Sequence, residues 1–127
     1  MRVMQTMAGA KHGGAEAFFT RLVLALHKAG LDQKVILRPN GAREQQLSDG
    51  GVAPTPLAFG GKLDISTRLG LRREISRFKP DVVLSWMNRA ASFCPKPAGR
   101  FVHCARLGGY YDLKYYRHCD HLIGNTP

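Results

Sequence analysis

Three short segments of this chain hold the residues best suited to chemistry, each placing glycine, arginine or an aromatic directly after an apolar run. The first is Ala10-Lys11-His12-Gly13-Gly14-Ala15-Glu16. Gly13 and Gly14 allow a phosphate or sugar to approach the backbone closely, and His12 in the same turn is within reach of a substrate. A plain tight turn is the alternative. The second segment is Trp86-Met87-Asn88-Arg89. Trp86 offers a flat face for a sugar or a large body for the core, Asn88 can bond hydroxyls, and Arg89 can pair with phosphate. The third is Arg106-Leu107-Gly108-Gly109-Tyr110-Tyr111. Here Arg106 is a candidate anion contact, Gly108 and Gly109 permit close approach, and Tyr110 and Tyr111 present rings with hydroxyl handles. His103 lies just upstream, and reads either as a satisfied core histidine or as a base.

Other chemistries find no support. No Gly-x-Gly-x-x-Gly occurs and no acidic residue ends the second strand, which argues against a dinucleotide site. The Gly-Lys-Ser/Thr of a P-loop is missing, as are His-Glu-x-x-His and paired Cys spacings, so no metal is expected. Cys94, Cys104 and Cys119 are odd in number and widely spaced, which predicts three free thiols in a reducing compartment.

These segments need elements to position them. Val3, Met4 and Met7 predict a strand, and Ala15, Phe18, Phe19, Leu22, Val23, Leu26 and Ala29 recur at helical spacing as one apolar stripe. Gly30 is a natural end to that helix. Residues 34–38 read as a second strand and residues 42–49 as a short helix. Pro54 and Pro56 confine any strand over residues 52–59 to a short one at a sheet edge. Asp64 can cap a helix running to Phe78, with Ile65, Leu69, Leu71, Ile75 and Phe78 as its apolar face. Residues 81–87 form the best buried-strand candidate, residues 101–107 another, residues 113–119 a short helix, and residues 121–124 a last strand. Strands alternating with helices predict an α/β, Rossmann-like, doubly wound and mostly parallel sheet. In such sheets ligands bind beyond the carboxyl ends of the strands, where all three segments fall.

At 127 residues the chain makes one domain, and no apolar run reaches the roughly 18 residues that span a bilayer. With no signal peptide either, a cytoplasmic location is expected. The net charge of +10 favours an anionic partner, such as nucleic acid, nucleotide, lipid surface or acidic sugar, or else simply a solvated surface.

In order and spacing, Gly13-Gly14-Ala15-Glu16, Lys79-Pro80-Asp81-Val82-Val83 and Cys119-Asp120-His121-Leu122-Ile123-Gly124-Asn125-Thr126 resemble the N-terminal half of a GT-B glycosyltransferase of retaining family 4. That resemblance implies an acceptor-side domain over residues 1–127 and a separate nucleotide-sugar domain absent from this chain. The expected reaction is metal-independent, moving a sugar from a nucleotide-sugar co-substrate to a saccharide or lipid-linked acceptor, with no other cofactor. Gly13 and Gly14 would face the donor phosphates. His12, Glu16, Trp86, Asn88, Arg89, Gly108, Gly109 and Tyr110 would line the acceptor side. Where family members often carry a histidine after the fifth strand, Arg106 is favoured over His103, so that a positive group meets the departing diphosphate. Peripheral contact with anionic membrane lipid is a further implication, and the isolated domain is expected to be inactive. The rival is a basic Rossmann-like module that binds nucleic acid or nucleotide.

Overall fold

The computed structural model describes residues 1–9, 14–61, 63–106, 116 and 118–124. Six strands and four helices follow one another as β1 (Arg2–Met7), α1 (Gly14–Lys28), β2 (Asp32–Leu37), α2 (Gly41–Asp49), β3 (Thr55–Pro56), α3 (Ile65–Phe78), β4 (Val82–Trp86), α4 (Met87–Phe93), β5 (Val102–Arg106) and β6 (His121–Ile123). The strands form one sheet in the order β3-β2-β1-β4-β5-β6, and every pair in it is parallel. This is the doubly wound order, with its topological switch point between β1 and β4. The expected sheet is therefore present, and two-residue β3 occupies its edge, as Pro54 and Pro56 require.

Parallel strands need covering on both faces. Met7, Val35, Leu37 and Trp86 pack with Phe19, Val23 and Leu47 of α1 and α2 on one side. Met4, Ile36, Val83 and Phe101 pack with Leu71, Ile75, Ala90 and Phe93 of α3 and α4 on the other. Helix α1 ends as predicted: Gly30 takes φ +92°, the Gly30 N–H donates to the His27 carbonyl, and Leu31 donates to Leu26.

Three expectations need correction. The buried face of α1 is Glu16, Phe19, Thr20 and Val23, whereas Phe18 is 41% exposed. Thr20 is tolerated inside because its hydroxyl donates to the Glu16 carbonyl. On α3, Ile65 and Leu69 are 64% and 56% exposed, and Thr67 takes their place in the core. The Thr67 hydroxyl accepts from the Phe59 N–H and donates to Asp64, so a polar residue is satisfied where the apolar stripe was expected. Finally, α4 was not anticipated. Met87, expected to end a strand, instead turns the chain directly into a helix at φ +68°. Seven residues are too few for periodicity to register, and a non-glycine residue in that region costs about 1–3 kcal/mol. The expected helix over residues 113–119 falls largely outside the described residues.

Asp64 caps α3 as predicted. Its carboxylate accepts from the Thr67 hydroxyl at 2.6 Å, the Thr67 N–H at 3.0 Å and the Gly60 N–H at 2.7 Å, and these bonds hold it below the usual carboxylate range. A depressed folded pKa adds stability that is complete above the unfolded value of about 3.9 and is lost as pH falls through the folded value. Asp64→Asn retains a capping oxygen but not the charge. It should lower the urea midpoint at neutral pH, and the gap from the wild-type chain should close on acidification. A gap independent of pH would mean that the charge contributes nothing.

Candidate functional site

Register brings Leu37, Met7, Trp86, Arg106 and Ile123 into one row across the carboxyl edge of the sheet. Trp86 is 1% exposed. Its ring meets Phe19 edge-on at 5.3 Å and Phe18 at 5.8 Å. The indole Nε1–H donates to Gln5 Oε1 at 2.9 Å, Gln5 Nε2 donates to Gln33 Oε1 at 2.9 Å, and Gln33 Nε2 donates to the Val23 carbonyl at 2.7 Å. A chain of amides thus ties β4 to β1, β2 and α1 through the core. Trp86 has no face left for a sugar; it is the floor on which the site stands.

Arg106 lies on that floor. Its guanidinium sits 4.9 Å from the Trp86 ring and 4.9 Å from the Phe18 ring. Two aromatic faces hold a half-buried cation at the carboxyl edge, each contact contributing about 0.5–2 kcal/mol. Phe18 is on the second turn of α1, so this cation lies close to a helix start whose N–H groups and dipole favour anions. In the sequence Phe18 reads only as part of an apolar stripe, and Gln5 is not singled out. The signal available was an amide inside an apolar strand.

Glu16 turns inward. It is buried, and a Cβ built on Gly9 would come within 2.6 Å of its Oε1 and 2.9 Å of Met7 Sδ. Burial pulls the Arg43 guanidinium below its ordinary pKa, and the Glu16 charge partly offsets this. Glu16 therefore braces the β1–α1 turn against α2 and does not line an acceptor surface. Gly9→Ala should destabilise the fold by about 1–3 kcal/mol in urea unfolding, because backbone and carboxylate must separate. An unchanged midpoint would show that the packing against Glu16 is loose.

His103 is fully buried. Its Nδ1 lies 3.1 Å from the His118 carbonyl, which only accepts, so Nδ1 carries the proton. Nε2 then accepts from the Ser85 hydroxyl at 2.6 Å. The His103 N–H donates to Asp120. Burial lowers the His103 pKa and keeps the ring neutral. With both nitrogens engaged inside the protein, His103 joins β4, β5 and the segment leading to β6, and is not positioned as a catalytic base. Because its folded pKa is depressed, its stabilisation is complete above about 6.5 and is lost as pH falls through the folded value. The wild-type chain should lose stability over that window in urea titrations, and His103→Gln should not show this loss. Equal pH slopes would overturn the assignment.

Asn88 and Arg89 open α4, and with α3 they border a cavity of about 1140 Å³. This cavity belongs to the α3–α4 face, whereas Arg106 belongs to the α1 face. A second cavity of about 590 Å³, around Asp81 and Asp120, lies away from the switch point. His12, Gly13, Gly108, Gly109 and Tyr110 lie outside the described residues. Gly14 opens α1, and an added Cβ there would meet nothing within 4 Å. Among the described residues, no three His, Cys, Asp or Glu groups gather as a metal site, and no helix is long and apolar enough to cross a membrane. All three cysteines are free.

A parallel sheet in this order is a Rossmann-like, doubly wound architecture. A crystal structure of MurG from Acinetobacter baumannii superposes on it with a TM-score of 0.71 at 15% identity, covering 99% of this chain and 41% of that one. The profile of Glycosyltransferase Family 4 matches residues 12–127, and the chain belongs to that family. Two relatives come from Rhizobium meliloti (strain 1021). The lipopolysaccharide core biosynthesis glycosyltransferase LpsD is 34% identical over 131 residues, and the lipopolysaccharide core biosynthesis glycosyltransferase LpsE is 35% identical over 119 residues. The alignments cover 100% and 92% of this chain but only 37% and 35% of those relatives.

Proposed function

We propose that this chain forms the acceptor-side half of a glycosyltransferase that moves a sugar from a nucleotide-sugar to a lipopolysaccharide-type saccharide. Family membership supports sugar transfer, and the two curated relatives support the acceptor class. The observation that carries the reading is Arg106, held between Trp86 and Phe18 at the carboxyl edge beside the start of α1. A fixed cation there suits the charge that develops on a departing diphosphate, since a preorganised group needs no rearrangement at the moment of reaction. Asn88 and Arg89 are offered to the acceptor. In this reading the α1 turn with Gly13 and Gly14 approaches the donor phosphates, a second domain holds the rest of the nucleotide-sugar, and the reaction retains configuration without a metal. The proposed location is cytoplasmic, and the net charge of +10 favours contact with an anionic lipid surface. LpsD and LpsE are both named as lipopolysaccharide core glycosyltransferases, which favours sugar transfer over the nucleic-acid rival.

The chain alone should bind lipopolysaccharide core oligosaccharide in saturation-transfer NMR and transfer no sugar from nucleotide donors. Sugar transfer by residues 1–127 alone, or a failure to bind the oligosaccharide, would defeat the proposal. In a longer protein carrying a donor domain, Arg106→Ala should lower kcat by about a hundredfold with a smaller effect on acceptor KM.

A further inference from the structure

Among the described residues, the cavity between α3 and α4 is bordered by five cations and by no Asp or Glu. Arg68 and Arg72 come from α3, Arg89 from α4, and Lys96 and Arg100 from the connection to β5. These residues are spread over positions 68–100 of the sequence, and folding turns them toward one space. Three are held in place. The Arg68 guanidinium lies 4.7 Å from the Phe93 ring centroid. Arg89 Nη1 donates to the Phe59 carbonyl at 3.2 Å. Arg100 donates from Nε to the Pro97 carbonyl at 3.4 Å and from Nη2 to the Lys96 carbonyl at 3.2 Å.

Among the described residues, no carboxylate lies within ion-pair distance of them. The salt bridges found among the described residues are Arg2–Asp32 and Lys34–Glu74, both outside the cavity. Asp64 is near enough to feel Arg68, but its oxygens are already engaged by Gly60 and Thr67. Like charges converging without a counter-charge oppose folding unless an anion joins them. The cavity has the volume of a small-ligand site, and Gly60 and Asn88 place one end of it at the carboxyl edge. A concave space of this kind suits a discrete anionic group better than it suits a flat bilayer.

We propose that the α3–α4 cavity is an anion subsite that takes phosphate or carboxylate groups of the acceptor saccharide. The assignment to the acceptor rests on the glycosyltransferase reading above; the anion binding does not. Guanidinium groups match the bidentate geometry of both anions.

Calorimetry on the intact chain with sodium tripolyphosphate, and with glucose 6-phosphate against glucose, tests the subsite. Tripolyphosphate should bind with an affinity that falls as salt is raised, and glucose should not bind. Arg72→Glu and Arg100→Glu should each weaken tripolyphosphate by about tenfold, whereas Arg21→Glu on exposed α1 should change it less than about twofold. Circular dichroism melting confirms that each variant is folded, and Arg72→Gln repeats the test with a milder change. Equal effects of Arg72→Glu and Arg21→Glu would overturn the subsite. So would binding confined to phosphatidylglycerol vesicles with none to tripolyphosphate, which assigns the cations to a lipid surface. Anion binding retained without oligosaccharide binding would fault the glycosyltransferase reading alone; the converse would fault the subsite alone.

Discussion

The burial of Trp86 beside an amide chain is the constraint on which the site depends. A tryptophan can be fully enclosed only where its N–H finds a partner, and Gln5 supplies one from the adjacent strand. Gln5 in turn must be satisfied, which draws in Gln33 and the α1 backbone. Four elements are thereby joined at the switch point. Apolar residues alone would fill this volume, but they would not set the angle of the ring. That angle matters because Arg106 rests against it.

A second polar system secures the other side of the sheet. Ser85, His103, the His118 carbonyl and Asp120 bind β4 and β5 to the segment that precedes β6. A neutral histidine serves here because one nitrogen donates while the other accepts, so two unlike partners are joined by one side chain. This commits His103 to structure, while Arg106 at the end of β5 rests against Trp86 and Phe18 on the other face.

Charge is distributed unevenly around this frame. Glu16 and Arg43 lie close enough to interact in the interior, whereas the cations between α3 and α4 make no salt bridge among the described residues. The anion subsite proposed above draws on this imbalance, because free energy withheld from folding becomes available when an anion arrives.

The doubly wound architecture was legible in the sequence because apolar periodicity and punctuation by glycine and proline are local properties. The β1–α1 unit, the Gly30 terminus, the Asp64 cap and the edge position of β3 all follow from neighbours a few residues apart. The strand ends at Trp86 and Arg106 could also be located from pattern alone. What each side chain does there was not legible. Trp86 became a floor, Glu16 a brace and His103 a latch because their partners, Gln5, Gly9 and Ser85, lie on other segments. Thr67 displaced Ile65 and Leu69 from the core through bonds to Phe59 and Asp64 that no helical periodicity encodes. The sequence by itself determined the order of elements and where each strand ends. Only the tertiary structure decided which polar groups are spent on the interior and which remain to meet a ligand, because satisfaction of a buried hydrogen bond depends on atoms brought together across the sheet.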